Sequence, residues 1–284
     1  MANPLVQTLA RANQARSRSQ FAQARRLFKG LTGPRLPHDL RQEAWHGVAD
    51  CSRLLGDFRL AVQAYGKALA LVPADERADK ADLTAGLGLA YRGAGKPALA
   101  LRHLKQARQI FKRLHDLTGL AFSAWALGGA WRIAGFPRKS LAELEEAWAL
   151  YQKLRDAEGL SYTACALGGV HRMLGQWKES RRWYRLANQR MRARGDAFGI
   201  AYSYCGLGNA CRMDGDLTGA LAYFKKAEGR YAKIGDKVSY AYTLWSIATT
   251  QKLLWRGRAA LASSAKAEKL FKATGDERGL AYAA

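Results

Sequence analysis

Apolar and small residues return along the chain every 40 residues and fall on one side of two successive helices in each period. A glycine marks the pattern in four copies, at Gly88, Gly128, Gly168 and Gly208. A small residue follows 12 positions later, a large apolar residue 16 positions later and an alanine 19 positions later, as in Ala100, Leu104 and Ala107. Spacings of three and four residues place such side chains on one helix face. The pattern therefore predicts helix pairs that stack into a solenoid.

Glycine and aspartate mark the breaks between the predicted helices. One glycine falls between the two helices of each central repeat: Gly95, Gly135, Gly175 and Gly215. Glycine is favoured there because it adopts a left-handed backbone without steric cost. An aspartate precedes each later repeat: Asp116, Asp156, Asp196, Asp236 and Asp276. We expect these carboxylates to cap the free N–H groups of the helix that follows.

The repeat resembles the tetratricopeptide repeat (TPR). Leu87-Gly88-Leu89-Ala90-Tyr91 matches its Leu-Gly-x-x-Tyr motif on the first helix, helix A, and Ala220, Phe224 and Ala227 match its Ala-x-x-x-Phe-x-x-Ala motif on the second, helix B. The resemblance implies an all-α fold, a right-handed superhelical solenoid of stacked TPR helix-turn-helix repeats, and a non-catalytic scaffold for protein interactions. The period of 40 exceeds the usual value of about 34. This is similar to long-repeat adaptors with a Leu-Gly-Asn signature, which Leu207-Gly208-Asn209 keeps, and we expect the extra residues to lengthen the junction from helix B to the next helix A.

The repeat columns extend over nearly the whole chain, so we predict a single TPR array over residues 1–284. The predicted repeats are 5–31, 40–72, 80–114, 117–154, 157–194, 197–234 and 237–274, with a partial eighth from 276. The first two copies are degenerate, and the seventh has Trp255 where the turn glycine belongs. Arrays normally end in a polar capping helix. We therefore expect the chain to continue beyond residue 284, or another element to cover this end.

A basic residue occupies one column of helix A in every copy. Counting Gly88 as position 8, position 12 is Arg16, Arg53, Arg92, Arg132, Arg172, Arg212 and Lys252. In the family, positions 2, 5, 9, 12 and 13 of helix A face the concave groove, so the resemblance implies a ladder of cations that binds a ligand. Two alternatives compete with a ligand: duplication copies residues whether or not they are used, and a cation near a helix C-terminus stabilises the helix dipole.

Aromatic residues accompany the ladder at neighbouring groove positions. Position 2 is Phe122, Tyr162, Tyr202 and Tyr242 in the later copies, and position 5 includes Trp125 and Trp245. At position 9, Gly129 and Gly169 form the expected floor, where bare backbone lets a ligand come close. Asn209 in this column matches the asparagine that holds a peptide backbone in TPR grooves. Part of the aromatic column could equally be core between repeats.

The formal net charge of +23 favours an acidic partner. Repeats step by about 10 Å and an extended peptide rises about 3.3 Å per residue, so a carboxylate at every third residue would meet successive arginines. We predict that the groove binds an acidic, extended protein segment. Single-stranded nucleic acid such as RNA is the first alternative, because arginines and aromatic rings also bind phosphates and bases. A docking or regulatory module of a larger effector or signalling protein is the second.

Two further charged groups qualify this interpretation. Glu43, Asp50 and Asp82 line the N-terminal part of the expected groove, where they would repel a continuous phosphate backbone. Six arginines crowd one helix B and its end: Arg181, Arg182, Arg185, Arg190, Arg192 and Arg194. We interpret this cluster as a solvated convex face, with a second site as the alternative.

Catalytic chemistry has no support in the sequence. The five histidines share no metal-ligand spacing, and no Cys-x-x-Cys occurs. We expect no catalytic residue, no cofactor and no metal site. The four cysteines are interpreted as small packing residues, because Cys165 and Cys205 lie one repeat apart, too far for a disulfide. This favours a reduced, cytoplasmic protein, and the absence of a long apolar run predicts no membrane insertion.

Overall fold

The computed structural model describes residues 4–73 and 75–283, and all regular secondary structure in these ranges is α-helical. The helices are α1 (Pro4–Ser17), α2 (Phe21–Gly30), α3 (His38–Leu54), α4 (Phe58–Leu69), α5 (Arg77–Gly93), α6 (Pro97–Arg113), α7 (Leu117–Ile133), α8 (Pro137–Leu154), α9 (Ala157–Met173), α10 (Trp177–Ala193), α11 (Ala197–Met213), α12 (Leu217–Ile234), α13 (Lys237–Leu253), α14 (Gly257–Thr274) and α15 (Glu277–Ala283). Two compact units divide these residues: unit 1 runs up to Leu150 and unit 2 begins at Tyr151.

Within each unit the helices form an inner and an outer row. The odd-numbered helices contact one another in series, α1 to α7 in unit 1 and α9 to α15 in unit 2, and each also packs against its even-numbered neighbours. The even-numbered helices described within a unit do not contact one another to a comparable extent. Helix A of each repeat thus lies in the inner row and helix B in the outer row. The prediction of an all-α solenoid of stacked helix-turn-helix repeats is confirmed.

The seam inside each helix pair depends on a glycine without room for a side chain. A Cβ atom on Gly128 would lie 2.6 Å from Leu144 and 3.3 Å from the carbonyl oxygen of Ser140. A Cβ atom on Gly168 would lie 2.7 Å from the ring of Tyr184. Serine side chains reinforce the contact, since the buried Ser140 Oγ donates to the carbonyl oxygen of Gly128 at 2.7 Å. Helices A and B therefore approach as closely as the small-residue columns predict.

The predicted turn and cap residues take the expected geometry. Gly95, Gly135, Gly175 and Gly215 all have positive φ, between 69° and 86°. The side chain of Asp156 accepts from two backbone N–H groups, those of Glu158 and Gly159, at 2.9 Å each. Asp116, Asp196, Asp236 and Asp276 each accept from the N–H group three residues later. Each repeat boundary is thus specified by its own local hydrogen bonds.

The 40-residue period comes from long helices, and the expected long junction between repeats is wrong. In the fifth repeat α9 and α10 each have 17 residues. Only residues 174–176 and 194–196 connect them and lead to α11. Asp196 is the cap of α11, and Ala197 to Gly199 already form its first turn. The extra residues therefore extend both helices and enlarge the inner and outer surfaces of each repeat.

The cysteines are packing residues in a fold without disulfides among the described residues. All four are free, and Cys51, Cys165 and Cys211 are buried. Burial raises the pKa of Cys51 and of Cys205 to about 11 each, so both thiols stay protonated near neutral pH and are unreactive. Separately, none of the helices in the described part of the chain is long and apolar enough to cross a membrane.

Trp255 gives the first testable prediction. It occupies the turn between α13 and α14 with φ at 59° and a side chain 95% exposed, where the central repeats have glycine. A left-handed conformation costs a non-glycine residue about 1–2 kcal/mol, and glycine loses about 0.5–1 kcal/mol more conformational entropy on folding. We expect Trp255→Gly to raise the free energy of unfolding by about 0.5–1 kcal/mol, measured by urea denaturation.

Trp255→Ala is the matched control, because it removes the indole ring and keeps the unfavourable backbone. We expect no gain in stability from it. Equal stabilisation by alanine and glycine would assign the effect to the ring and contradict the argument from backbone strain.

Candidate ligand-binding site

The ladder cations lie on the inner rows of the two units, in the last turn of the odd-numbered helices. Arg16, Arg53, Arg92 and Arg132 belong to unit 1, and Arg172, Arg212 and Lys252 to unit 2. All six arginines are half-buried, whereas Lys252 is exposed. A half-buried guanidinium loses hydration, so the surroundings of each arginine decide whether it is available to a ligand.

Asp50 neutralises the first part of the ladder in unit 1. Its carboxylate lies 3.4 Å from Nη1 of Arg16 and 3.8 Å from Nη2 of Arg53. It also accepts a hydrogen bond from the hydroxyl of Tyr65 and lies 3.5 Å from Nε2 of His46. The sequence indicates Asp50 only as a groove acid that would repel phosphates. The structure shows that it pairs with two ladder cations and reduces their attraction for an anion.

Arg92 is held by its neighbours on the next helix. Its guanidinium lies 5.2 Å from the ring centroid of Trp125, within range of a cation–π interaction. A Cβ atom on Gly129 would overlap Nη1 of the same guanidinium. Gly129 therefore makes room for Arg92, and the interpretation of this glycine as bare floor for a ligand is wrong. Trp125 supports a ladder arginine, and Phe122 packs beside it with ring centroids 5.8 Å apart.

Carboxylates make the inner row of unit 1 locally acidic. Reduced hydration raises the pKa of Asp82, and the carboxylates of Asp116, Asp79 and Asp50 raise it further, against the lowering effect of His46. Glu43 also lies on this row and accepts a hydrogen bond from Asn13. Another anion placed here would add to this repulsion. By contrast, no hydrogen bond or ion pair joins the guanidinium of Arg132 to any described residue of unit 1.

Arg172 and Arg212 form the electropositive centre of unit 2. Desolvation lowers the pKa of Arg212, and the charge of Arg172 lowers it further. Nε of Arg172 is buried and has no hydrogen-bond partner. Neither arginine forms an ion pair with a carboxylate in the described part of the chain. Two guanidinium groups thus repel each other in a partly desolvated place without a counter-ion.

Asn209 positions Arg212. Its side-chain oxygen accepts from Nη2 of Arg212 at 3.0 Å, and its Nδ2 donates to the carbonyl oxygen of Cys205 at 3.0 Å. Asn13 accepts from Arg16 at 3.0 Å in the same way. The asparagine at position 9 therefore braces the arginine three residues later. An amide has two donors and two acceptor lone pairs, so Asn209 keeps one N–H and one lone pair for other partners.

Two of the predicted groove tyrosines connect successive repeats. The hydroxyl of Tyr162 donates to Asp196 at 2.9 Å, and that of Tyr242 donates to Asp276 at 3.2 Å. Both carboxylates are helix N-caps. Burial raises the pKa of Tyr162, and its hydrogen bond to Asp196 raises it further. These hydroxyls therefore serve the inter-repeat contact, which is the alternative that the sequence leaves open for the aromatic column.

The remaining aromatic residues differ in accessibility. Tyr202 is 41% exposed and stacks on Phe198, which is 40% exposed, with ring centroids 6.2 Å apart. Sequence reasoning does not select Phe198, because it precedes the groove positions by one helical turn. Trp245 stacks on Tyr282 at 5.2 Å and donates from Nε1 to its backbone oxygen at 2.8 Å.

An apolar column beside the ladder is also missing from the sequence-based prediction. The residue after each ladder cation is a large exposed apolar side chain in five copies: Leu54, Ile133, Met173, Met213 and Leu253, each between 41% and 52% exposed. The signal is present in the sequence, because these residues occupy position 13. Isolated exposed apolar residues need no explanation, but a column with a fixed period forms a patterned surface.

No group of three or more histidine, cysteine, aspartate or glutamate side chains within residues 4–73 and 75–283 is arranged to hold a metal ion. The inner rows therefore present charge, aromatic rings and apolar side chains, a combination suited to binding. The structure thus places the ladder predicted from sequence on the inner rows, while the identity of its ligand stays a prediction.

Comparisons with known proteins agree with this architecture. The family model for the tetratricopeptide repeat matches residues 40–113 and 160–233. No curated protein matches the sequence. The fold is similar to that of a Rap protein complexed with Competence and Sporulation Factor, with a TM-score of 0.76 at 14% identity over 100% of this chain and 85% of that one.

Two further solved structures have a similar fold. The Rap conjugation gene regulator of the plasmid pLS20, in complex with the Phr* peptide, has a TM-score of 0.67 at 16% identity over 86% of this chain and 73% of that one. NprR, in complex with its cognate peptide NprX, has a TM-score of 0.67 at 13% identity over 98% of this chain and 81% of that one. Identities this low show the fold alone.

The hydroxyl of Tyr162 gives the second prediction. We expect Tyr162→Phe to lower the free energy of unfolding by about 1–3 kcal/mol, because a hydrogen bond to a charged group is removed. Urea denaturation measures the loss. A double-mutant cycle with Asp196→Asn, which keeps a capping oxygen, isolates the pair. Additive effects of the two changes would contradict a direct Tyr162–Asp196 coupling.

Proposed function

The chain belongs to the tetratricopeptide repeat family, whose fold generally serves as a non-catalytic interaction scaffold, and we propose that it binds an acidic, extended peptide segment. The proposed binding surface is the inner row of unit 2, with Arg172, Arg212 and Lys252 as its cations. The seven-repeat array and the cytoplasmic location stay predictions.

The observation that carries the proposal is the unneutralised pair of Arg172 and Arg212. Each guanidinium is half-buried, and no carboxylate of the described chain pairs with either one. The lowered pKa of Arg212 reflects desolvation and repulsion from Arg172. A carboxylate between them would remove the repulsion and accept bidentate hydrogen bonds. Since Asn209 already braces Arg212, little side-chain entropy would be lost on binding.

The distribution of charge supports unit 2 as the place for acidic residues. In unit 1, Asp50 pairs with Arg16 and Arg53, so those cations are already neutralised. Asp82 lies among other carboxylates and would repel an acidic ligand. The ladder is uniform in sequence, yet its free positive charge is concentrated at Arg172 and Arg212.

The apolar side chains next to the cations support a peptide as the ligand. Met173 and Met213 are 41% and 48% exposed, directly after Arg172 and Arg212. Methionine adapts its shape to different apolar partners. A peptide offers both carboxylates and apolar side chains, whereas a phosphate backbone offers only charge. Two proteins of similar fold, the Rap regulator in complex with the Phr* peptide and NprR in complex with the peptide NprX, also support a peptide.

The third prediction tests the arginine pair. A library of fluorescein-labelled peptides with Glu at every third position and varied apolar residues between is titrated by fluorescence anisotropy. For the peptides that bind, we expect Arg172→Gln with Arg212→Gln to weaken binding at least about 30-fold, because breaking a buried ion pair costs about 2–5 kcal/mol. Circular dichroism should show unchanged helicity.

The matched control is Arg182→Gln with Arg192→Gln, which removes the same charge from the outer row of unit 2, where both side chains are exposed. We expect less than about a threefold loss from this control, since exposed charges contribute little. If a single-stranded oligonucleotide binds more tightly than any peptide, with a loss of about 10³-fold between 50 and 200 mM salt, the groove binds nucleic acid and the proposal is wrong. No binding by any library peptide would also contradict it.

A further inference from the structure

The outer row of unit 2 carries an unusual density of positive charge. Helices α10, α12 and α14 contain fourteen lysines and arginines but only three acidic residues. Of the arginines clustered around α10, Arg181 pairs with Asp214 and Arg194 with Glu158. The structure thus separates this cluster into ion-paired members and members that face solvent.

The exposed members define a surface, which we call the outer cationic face. It comprises Lys178, Arg182, Arg185 and Arg192 on α10 with Lys225 and Lys233 on α12, all of them exposed. The four residues on α10 are spaced so that they follow one side of the helix, over about 21 Å. Arg185 and Lys225 occupy the same column of successive repeats, one period of 40 residues apart. Positive charge therefore runs both along a helix and across two repeats.

Little on this face neutralises the charge. The nearest acidic partner is Glu179, 3.6 Å from Arg182, and the side chain of Arg182 stays 80% exposed. In unit 1 the corresponding column holds Lys105 and then Glu145, so its sign alternates. Like charges at this density repel one another, and a bound polyanion would relieve the repulsion.

Apolar and aromatic contacts are absent from the face. No large apolar side chain of α10 is exposed, and within the described residues α12 exposes only Ile234, its last residue. The rings that do lie nearby are covered by cations: Lys226 lies 5.5 Å from the ring centroid of Tyr223, and Arg230 lies 5.8 Å from that of Tyr204. The surface thus offers neither an anchor for a bilayer nor a free ring on which an unpaired base could stack.

We propose that the outer cationic face binds the phosphate backbone of double-stranded nucleic acid without reading its sequence. Contacts to phosphates alone fit a duplex, because its bases are already paired and stacked and only its backbone needs a partner. This site is separate from the inner row, so it goes beyond the proposed peptide binding and does not depend on it.

The test measures the affinity of the full chain for a labelled duplex by fluorescence anisotropy over a range of salt concentrations. The outer variant carries Arg182→Gln, Arg185→Gln, Lys225→Gln and Lys233→Gln. We expect its affinity to fall at least about tenfold at low salt, and the slope of log K against log salt to decrease by about 0.9 for each phosphate that the variant no longer neutralises. Circular dichroism should show unchanged helicity, because all four side chains are exposed.

A matched variant removes four exposed cations from unit 1: Arg59→Gln, Arg102→Gln, Lys112→Gln and Arg113→Gln. We expect its affinity to fall less than about threefold, with nearly the native salt slope, since these side chains would not touch the duplex. Equal losses in the two variants would show that binding follows net charge, and the proposal would be wrong.

Three other outcomes would also overturn it. The first is no duplex binding by the native chain. The second is tighter binding to an unlabelled single strand of equal length, or to phosphatidylserine vesicles, than to the duplex. The third is an equal loss of duplex affinity in the Arg172→Gln, Arg212→Gln variant, which would place the duplex on the inner row. Retention of duplex binding by that variant while its peptide affinity falls would separate the two sites.

Discussion

Close approach of the two helices within each repeat is the constraint on which the other features depend. At Gly128 and Gly168, a Cβ atom would lie within 2.7 Å of the side chain on the facing helix, a distance that real side chains do not reach. Because the same contact recurs in each regular copy, every helix A is held against its helix B at a similar separation. The inner row therefore presents equivalent positions at regular intervals, and a ladder of side chains becomes geometrically possible.

Capping residues convert this packing into a defined register. The aspartate before each regular helix A accepts backbone N–H groups in its first turn, and at Asp196 and Asp276 it also accepts from a tyrosine of the preceding repeat. One carboxylate thus starts a helix and joins it to its neighbour. Since the caps consume these acidic side chains, they leave few carboxylates to neutralise the arginines and lysines. The high free positive charge of unit 2 follows partly from this use of its aspartates.

The two rows of helices in unit 2 present positive charge in different environments. On the inner row, Arg172 and Arg212 are half-buried, few and flanked by apolar side chains, which suits selective binding of carboxylates. On the outer row, Arg182, Arg185 and Lys225 are exposed, numerous and without apolar neighbours, which suits a polyanion held by long-range attraction. Desolvation separates the two cases, because a charge removed from water gains more from a well-placed partner than a hydrated one does.

The sequence by itself determined the repeat, the two-helix unit, the glycine turns and the aspartate caps. These features follow from residues a few positions apart, so their physics is local and the 40-residue periodicity repeats it. The state of each ladder arginine was decided only in the tertiary structure. Arg16 meets Asp50, Arg92 lies over Trp125, and Tyr162 donates to Asp196, all across more than 30 residues of chain. A column of identical cations looks uniform in sequence, yet its members differ because charge and hydration depend on neighbours that only the packing of successive repeats brings together.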